Sequence, residues 1–527
     1  MLDTSRHPAP YEKKEVRPEV CLYKSPKAAG GVSDVRKAEV MHVFEDDNDH
    51  DPFDDDSPDF KDVSSDEQGR TLGRMTLYAT AHQASQFRLH VFQVLVFQTY
   101  ARFLRWDRAG VVVSEKVTFS NSAIAELYWR YTLTDDTSRG HDTTVEELSQ
   151  GDPIGEEARR ALQVEDDAIL YKISLGTKGK TYIIARGLYM VIGSPIGRST
   201  RGFSVFCLET KKVGYLKDTW RILSKSLKPE HEIYQKLYHP GVNRIPQIDA
   251  ASDMLDHSTK THEVSNRPWV KMDSRKRQEF QIYIHYRIVF ETVGYSLLSF
   301  RDVKEYVTAI RDAVEAHRDA YHLAKVLHGD ISVDNILIDE NGRGLLIDWD
   351  LSKDLDLQLD TQPSNYGTWR FKAFRLIKEL REGEEETVSD YVDDLESFFY
   401  VLYWVALRYT KHGLTRQSLN EELYLLYDDY FLDHKGVPRS TASVGRVLLV
   451  RYFEPERQFD IKKWPKPELI LTYYSEGYLA AHKTGKARLE SKDGEWMLKI
   501  FDAALGLEGW EVHGERVENE CYQVKRG

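Results

Sequence analysis

The sequence predicts an α+β fold: a small β-rich lobe over residues 189–296, a large helical lobe over 297–527, and an extra mixed α/β segment at 69–188 ahead of both. Three patterns predict it. β-Branched and aromatic runs broken by short turns crowd the region before residue 296. From Phe300 onward the apolar spacing turns helical and breakers become few. Between Val326 and Asp350, two apolar runs joined by a turn bring a set of polar residues to one rim of a hairpin. At 527 residues the chain is long enough for two to four domains, or for one large two-lobed domain with additions.

Composition narrows the class. Hydrophobic residues make up 41% and aromatics 12%, enough for an ordinary core, which excludes full disorder. Cys21, Cys207 and Cys521 are far apart, so neither a disulfide framework nor a cysteine zinc site is expected. The formal charge is −13, from 72 basic and 85 acidic residues. Residues 45–67 hold twelve Asp/Glu and one Lys, so the rest of the chain is nearly neutral and general nucleic-acid binding is not expected. The start is polar, and no apolar run approaches the roughly 20 residues a membrane helix needs. A soluble intracellular protein, cytoplasmic or nuclear and without a membrane partner, is the expectation.

Residues 1–68 read as a mostly disordered acidic tail, because like charges in a block repel and bury nothing. The run is also a candidate dock for a basic partner. In 69–188, Thr71 to Gln83 reads as a helix. The apolar stretch from Leu89 to Phe103 continues into Arg105-Trp106-Asp107-Arg108, then turns into Val111-Val112-Val113, as a two-strand hairpin. Thr144 and Glu147 are spaced as a capping box, so a helix is expected from Thr144. In the small lobe, Phe203–Leu208 and Val213–Lys217 are strands and Pro229 to Tyr238 is a helix. Ser252–Lys276 reads as a polar insertion loop, Gln281 to Thr292 as a strand, and Phe300 to Val326 as a long helix.

The sharpest signal is Val326-Leu327-His328-Gly329-Asp330-Ile331-Ser332-Val333-Asp334-Asn335-Ile336-Leu337-Ile338, followed by Gly344-Leu345-Leu346-Ile347-Asp348-Trp349-Asp350. An apolar run ends in a loop carrying His328 and Asp330. Asn335 opens a buried strand, and Asp348 ends the next one. Such a hairpin can bring Asp330, Asn335 and Asp348 together. One carboxylate can then orient a hydroxyl and accept its proton. Asn plus a second carboxylate can hold magnesium, which takes hard oxygen ligands and bridges nucleotide phosphates. The competing reading is a structural β-hairpin with polar loop residues.

This constellation resembles the catalytic loop and metal-binding aspartate of the protein-kinase superfamily. Downstream, Gly367-Thr368-Trp369-Arg370-Phe371 looks like the step that closes an activation segment, and Asp394-Leu395-Glu396 like the start of the central helix. There the resemblance implies that Asp394 caps the catalytic-loop backbone, against a plain surface N-cap. Upstream, Lys217 fits the strand-borne lysine that pairs the α/β-phosphates. Glu230 is its better partner, because Glu230, Ile233, Tyr234 and Leu237 share one helical face and Glu232 lies off it. With Arg139-Gly140-His141-Asp142, Gly197-Arg198-Ser199-Thr200-Arg201 and Leu216-Lys217-Asp218-Thr219-Trp220-Arg221, about residues 70–410 resemble the fungal-type protein kinase family of basidiomycetes. The resemblance implies a two-lobed protein-kinase-like fold, ATP and Mg2+, and a protein substrate. It implies catalytic roles for Asp330, Lys217, Asn335 and Asp348, and a metal held by Asn335 and Asp348. It also implies cofactor contacts from Gly197, Lys217, Glu230, Glu291, Asn335 and Asp348, with adenine against the linker Phe290–Gly294.

The chain also departs from the kinase pattern. Gly193, Gly197 and Gly202 lack the usual glycine-loop spacing, and Pro195 removes an N–H; Arg198 or Arg201 could compensate or be solvated edge charges. Gly329 replaces the arginine of H-R-D. Ser332 stands where serine/threonine kinases place a lysine. Asp348-Trp349-Asp350 replaces D-F-G, and Arg375 stands at the glutamate of A-P-E. H-G-D with D-W-D also resembles aminoglycoside and choline phosphotransferases, which makes a small-molecule kinase the second expectation. A nucleotide-binding pseudokinase scaffold is the third.

Overall fold

The computed structural model describes residues 18–24, 34–55, 65–120, 122–175, 179–185, 193–224, 227–265, 281–357, 368–377, 388–428 and 494–508, with short pieces elsewhere. Contacts divide the chain into two units, Met1–Lys225 with Ile248–Glu291 and Ser226–Gln247 with Thr292–Gly527.

Two larger sheets lie in the first unit among the described residues. One runs β1 (Val20–Tyr23), β2 (Ala38–Phe44), β3 (Val91–Val96), β4 (Tyr100–Asp107), β5 (Gly110–Val113) in spatial order. β2 and β3 are parallel, with Val40 opposite Phe92. Parallel neighbours require a crossover, and helix α1 (Asp66–Ser85) supplies it. Ser65 caps α1 by accepting from the Gln68 N–H, and Met75, Tyr78 and Ala79 pack on Met41, Leu95 and Trp106. The hairpin expected around Asp107 is β4–β5.

This sheet corrects the reading of the acidic segment. Residues 38–44 form an interior strand with six of its seven side chains buried. Several of the acidic groups that follow are paired. Glu45 accepts from Thr71 Oγ1 at 2.6 Å. Asp51 accepts from Arg102 Nε and from the Tyr100 hydroxyl, both at 2.8 Å, and Asp55 accepts from Arg102 Nη1 at 2.7 Å. Charge counted along the chain missed these pairs because Arg102 stands 51 residues beyond Asp51.

The second sheet is antiparallel throughout, in the order β6 (Val145–Glu147), β7 (Leu170–Ser174), β8 (Thr181–Ala185), β9 (Arg201–Cys207), β10 (Val213–Ile222), β12 (Tyr283–Phe290), β11 (Ile248–Ser258). Helix α2 (Ala123–Leu133) precedes it and α3 (Pro153–Leu162) connects β6 to β7. Two expectations fail here. The Thr144 segment is a strand, because the Thr144 N–H and hydroxyl both bond back to Asp142 and residues 145–147 pair with β7. The polar stretch from Ser252 begins as strand β11, whose partner β12 follows in sequence only after residue 280. A short helical turn, Thr261–Ser265, then follows, seated on Asp107, which accepts from the Lys260 and Thr261 N–H groups at 2.8 and 3.0 Å.

The second unit contains α4 (Glu230–Tyr238), α5 (Val303–His322), β13 (Val326–Leu327), the hairpin β14 (Ile336–Ile338) and β15 (Gly344–Leu346), β16 (Lys353–Asp354), α6 (Tyr391–Tyr409), α7 (Arg416–Leu423) and α8 (Glu495–Leu505). β13 pairs with β16. α6 is buried on nearly every side, as a core helix must be when it is apolar all round. Gly344 lets the hairpin meet α5 closely, since a Cβ there would lie 2.1 Å from the Ala309 carbonyl oxygen. Asp312, fully buried on α5, accepts two bonds from Arg343 at 2.7 Å and one from the Gly344 N–H at 3.0 Å. Helical character expected for 441–493 lies outside the described residues. Among the described residues no helix is long and apolar enough to cross a membrane.

Replacing Asp51 by Ala leaves Arg102 Nε without its acceptor on a side chain 1% exposed, with Asp55 as the remaining carboxylate partner. Breaking one side of a buried pair should cost about 3 kcal/mol, read as a lower midpoint in urea unfolding. Wild-type stability in Asp51→Ala would return this segment to a solvated tail.

Candidate active site

β13 ends at Leu327, and the chain turns at Gly329 with φ +79°, a conformation glycine adopts without a Cβ clash. The Gly329 N–H donates to Asp394 Oδ2 at 2.9 Å, and the same oxygen lies 2.8 Å from His317 Nε2. Asp394 therefore does cap the loop backbone. The N-cap of α6 is Asp390, in a capping box with Asp393. His317 was missed from sequence. Its signal was a polar residue inside the apolar α5 face of Ala313, Val314 and Ala320.

His328 joins two loops. Its Nε2–H donates to the Ile347 carbonyl at 2.9 Å, and its Nδ1 accepts from the Asp330 N–H at 3.2 Å. That pairing uses the neutral ring, and burial holds the imidazole below its usual pKa. The Asn335 amide nitrogen donates to the Asp330 carbonyl at 2.8 Å, and the Ile347 N–H donates to the Asn335 carbonyl at 3.0 Å. These bonds bring the segments bearing Asp330, Asn335 and Asp348 together within the second unit.

Asp348 adopts φ +68°, ψ +61°, a left-handed conformation costing an L-residue about 1–2 kcal/mol. Trp349 helps hold it there. The indole is fully buried, lies edge-on to His328 at 4.6 Å and donates to the Leu346 carbonyl at 3.1 Å. The residues fit a magnesium ion by donor chemistry. Asp348 brings a carboxylate, and Asn335, its nitrogen committed to Asp330, brings Oδ1. Glu230, Asp348 and Asp350 each offer an oxygen, all within 4.8 Å of one another. Glu230, Ile233, Tyr234 and Leu237 are the buried residues of α4.

The remaining site residues belong to the first unit. Lys217 is buried at mid-strand in β10, opposite Gly202 and Ile288. Beside it, Asp218 pairs with Arg201 at 2.6 Å and with His285. Arg201 is thus a buried structural partner, neither a solvated edge charge nor a free cation. The Gly197 N–H, expected to face a phosphate, donates to the Arg108 carbonyl at 2.8 Å. Arg108 also reaches Ser199 Oγ at 2.6 Å and the Pro195 carbonyl at 3.2 Å. Burial and nearby Arg201 push its guanidinium down to about 9. Glu291 lines a pocket with Lys180, Tyr182, Cys207, Gly214 and Asp249.

The segment after residue 367 is docked on α6. Thr368 reaches Asp330 Oδ1 at 2.7 Å through its backbone N–H rather than its hydroxyl. Phe371 is buried among Trp404 and Tyr427, and the Phe374 N–H donates to Glu396 Oε1 at 2.8 Å. Arg375 pairs with Asp393, on α6, so an ion pair of reversed polarity stands where the expected glutamate is missing. Burial, with Asp390 adjacent, pushes the Asp393 carboxyl up to about 7 against the pull of Arg375. Thr361, Ser364, Tyr366 and Gly367 lie outside the described residues.

The model of a family described as fungal protein kinase matches residues 59–406, a span that includes every site residue above. No curated protein matches the chain.

Asp394→Ala should leave the half-buried Gly329 N–H and the buried His317 without their acceptor, a loss of about 2–3 kcal/mol. Asp394→Asn keeps an oxygen for Gly329 and should lose less than half as much. Thermal melts of both variants that overlay wild type would remove the capping role.

Proposed function

The chain belongs to the fungal protein kinase family, and from that premise we propose that it is an ATP-dependent protein kinase that transfers the γ-phosphoryl group to a serine or threonine hydroxyl. Membership makes it a kinase-like phosphotransferase. The observation that carries the reading is the hydrogen-bonded convergence of the loops bearing Asp330, Asn335 and Asp348.

Asp330 orients the acceptor hydroxyl and takes its proton, as the Thr368 N–H fixes one carboxylate oxygen and leaves the other for substrate. The oxygen–phosphorus bond to the acceptor forms as the bond to the bridging oxygen of ADP breaks. Asn335 and Asp348 would hold a magnesium ion, which would supply positive charge against the phosphates. In the first unit, Lys217 serves the α/β-phosphates and the backbone at Glu291 the adenine, while Gly197 shapes the loop through its bond to Arg108. Glu230, buried at the first turn of α4, offers a carboxylate beside Asp348 and Asp350. A protein acceptor is favoured by the docked segment 368–375, a platform fixed at Asp330, Glu396 and Asp393. A basic partner remains a reading of the acidic run, in which Glu45, Asp51 and Asp55 are engaged within the protein.

Asp330→Asn and Asp348→Asn should each lower transfer from labelled ATP by about 10³-fold or more. Wild-type turnover in either removes its assignment. Lys217→Met should weaken ATP binding or slow transfer, and unchanged values of both would point to another lysine. Acidic and basic proteins and a panel of amino alcohols, tried as acceptors, separate the protein reading from the small-molecule one. Stabilisation by ATP with no transfer to any acceptor would favour a scaffold.

A further inference from the structure

Asp142 closes the Arg139-Gly140-His141-Asp142 motif, and phosphoryl transfer makes no use of it. Within the first unit the fold brings two histidines to it. His257 stands near the end of β11 and His285 near the start of β12. The pairing of these strands is irregular between Asp253 and Ser258, and such irregularities re-aim side chains. His257 Nδ1 lies 3.2 Å from His285 Nδ1, and Asp142 Oδ2 lies 3.9 Å from the same His285 nitrogen. One ligand atom from each of the three residues lies within 4.8 Å of the other two, and all three residues are buried.

Each of these groups is held from behind. His285 donates its Nε2–H to Asp218 Oδ1, which leaves Nδ1 of the neutral ring as a bare lone pair facing His257 and Asp142. Trp220 stacks on the His285 ring with centroids 5.0 Å apart and fixes its plane. Asp142 Oδ1 accepts from the Thr144 N–H at 3.0 Å and from its hydroxyl at 2.5 Å, while Arg287 donates to Oδ2 at 2.5 Å. A carboxylate behind a ligating imidazole, and donors behind a ligating carboxylate, are the outer partners that metal sites use. Two donors on one tetrahedral zinc ion stand about 3.3 Å apart. The imidazole pair is at that spacing, and the carboxylate oxygen has to close on His285 by about half an ångström.

We propose that Asp142, His257 and His285 bind a divalent ion of the zinc type, which staples the segment ahead of β6 to strands β11 and β12. Two imidazoles with one carboxylate select zinc or cobalt over magnesium and calcium, which take oxygen ligands. Arg287 and Arg201 already balance Asp142 and Asp218, so the charge of the ion calls for an anionic fourth ligand. Hydroxide serves: a bound water gives one proton to solvent, and His257 ligates as the tautomer protonated at Nε2. The site shares no ligand with the proposed magnesium site at Asn335 and Asp348. Because Asp142 is far from both histidines in sequence, only the folded chain assembles it, so the ion should stabilise the fold.

The test is metal binding to the full chain, stripped with a chelator and kept in excess Mg2+ so that oxygen-rich sites are filled. Wild type should retain about one equivalent of zinc after dialysis and melt several degrees higher with zinc than without it. With Co2+ it should show the intense visible bands of a tetrahedral nitrogen–oxygen site. His257→Gln should melt like metal-free wild type and lose the retained zinc, the melting shift and the cobalt bands. Equal zinc retention by wild type and His257→Gln means an adventitious ion only and overturns the proposal. So does a wild type that keeps no zinc, which would leave the 3.2 Å contact as a hydrogen bond between the two rings. If His257→Gln does not fold, the wild-type cobalt spectrum decides, and no bands, or the weak ones of an octahedral oxygen site, overturn the idea. None of these readouts uses transfer from ATP, so failure here leaves the kinase reading standing, and failure of that reading leaves this site standing.

Discussion

One carboxylate oxygen organises the second unit. Asp394 Oδ2 receives the Gly329 N–H and faces His317 Nε2, so the turn before Asp330 is bound to the two central helices α5 and α6. Because α6 is buried on nearly every side, it has little freedom to shift, and what is bonded to it inherits that rigidity. His328 passes the constraint to the end of β15, and Asn335 passes it back to Asp330. A buried polar network of this kind is stable only when its members are satisfied. Here each bond that is made also sets the position of a functional group.

Around three departures from the usual kinase pattern the structure shows local contacts. Gly329, which has no side chain to pair with, offers its N–H to Asp394. Trp349 fills the space under His328 and pins the chain beside left-handed Asp348, which suits a fixed conformation rather than one that flips. Arg375 reverses the sign of a lost ion pair and finds Asp393.

The first unit relies on charge buried in pairs. Arg102 with Asp51 and Asp55, Arg201 with Asp218, and Arg287 with Asp142 are all drawn into the interior. Such pairs add little net stability, but removing one partner is costly. Around Lys217 this matters directly. Asp218 is anchored by Arg201 and His285, and a loop poor in glycine is held by Arg108 through Pro195, Gly197 and Ser199.

By itself the sequence determined what local spacing can determine. The helix faces of α4 and α5, the β4–β5 hairpin, the His328-to-Asp350 constellation and the family are all carried by neighbours in the chain or by short motifs. Tertiary structure alone decided everything that depends on partners distant in sequence. It made an interior strand of residues 38–44, paired Asp51 with Arg102, turned the Thr144 segment to a strand, and spent the Gly197 N–H on Arg108. The physical reason is that periodicity reports which face of an element is apolar, whereas a buried charge is tolerated only where folding brings its counter-charge, and no local pattern encodes that meeting.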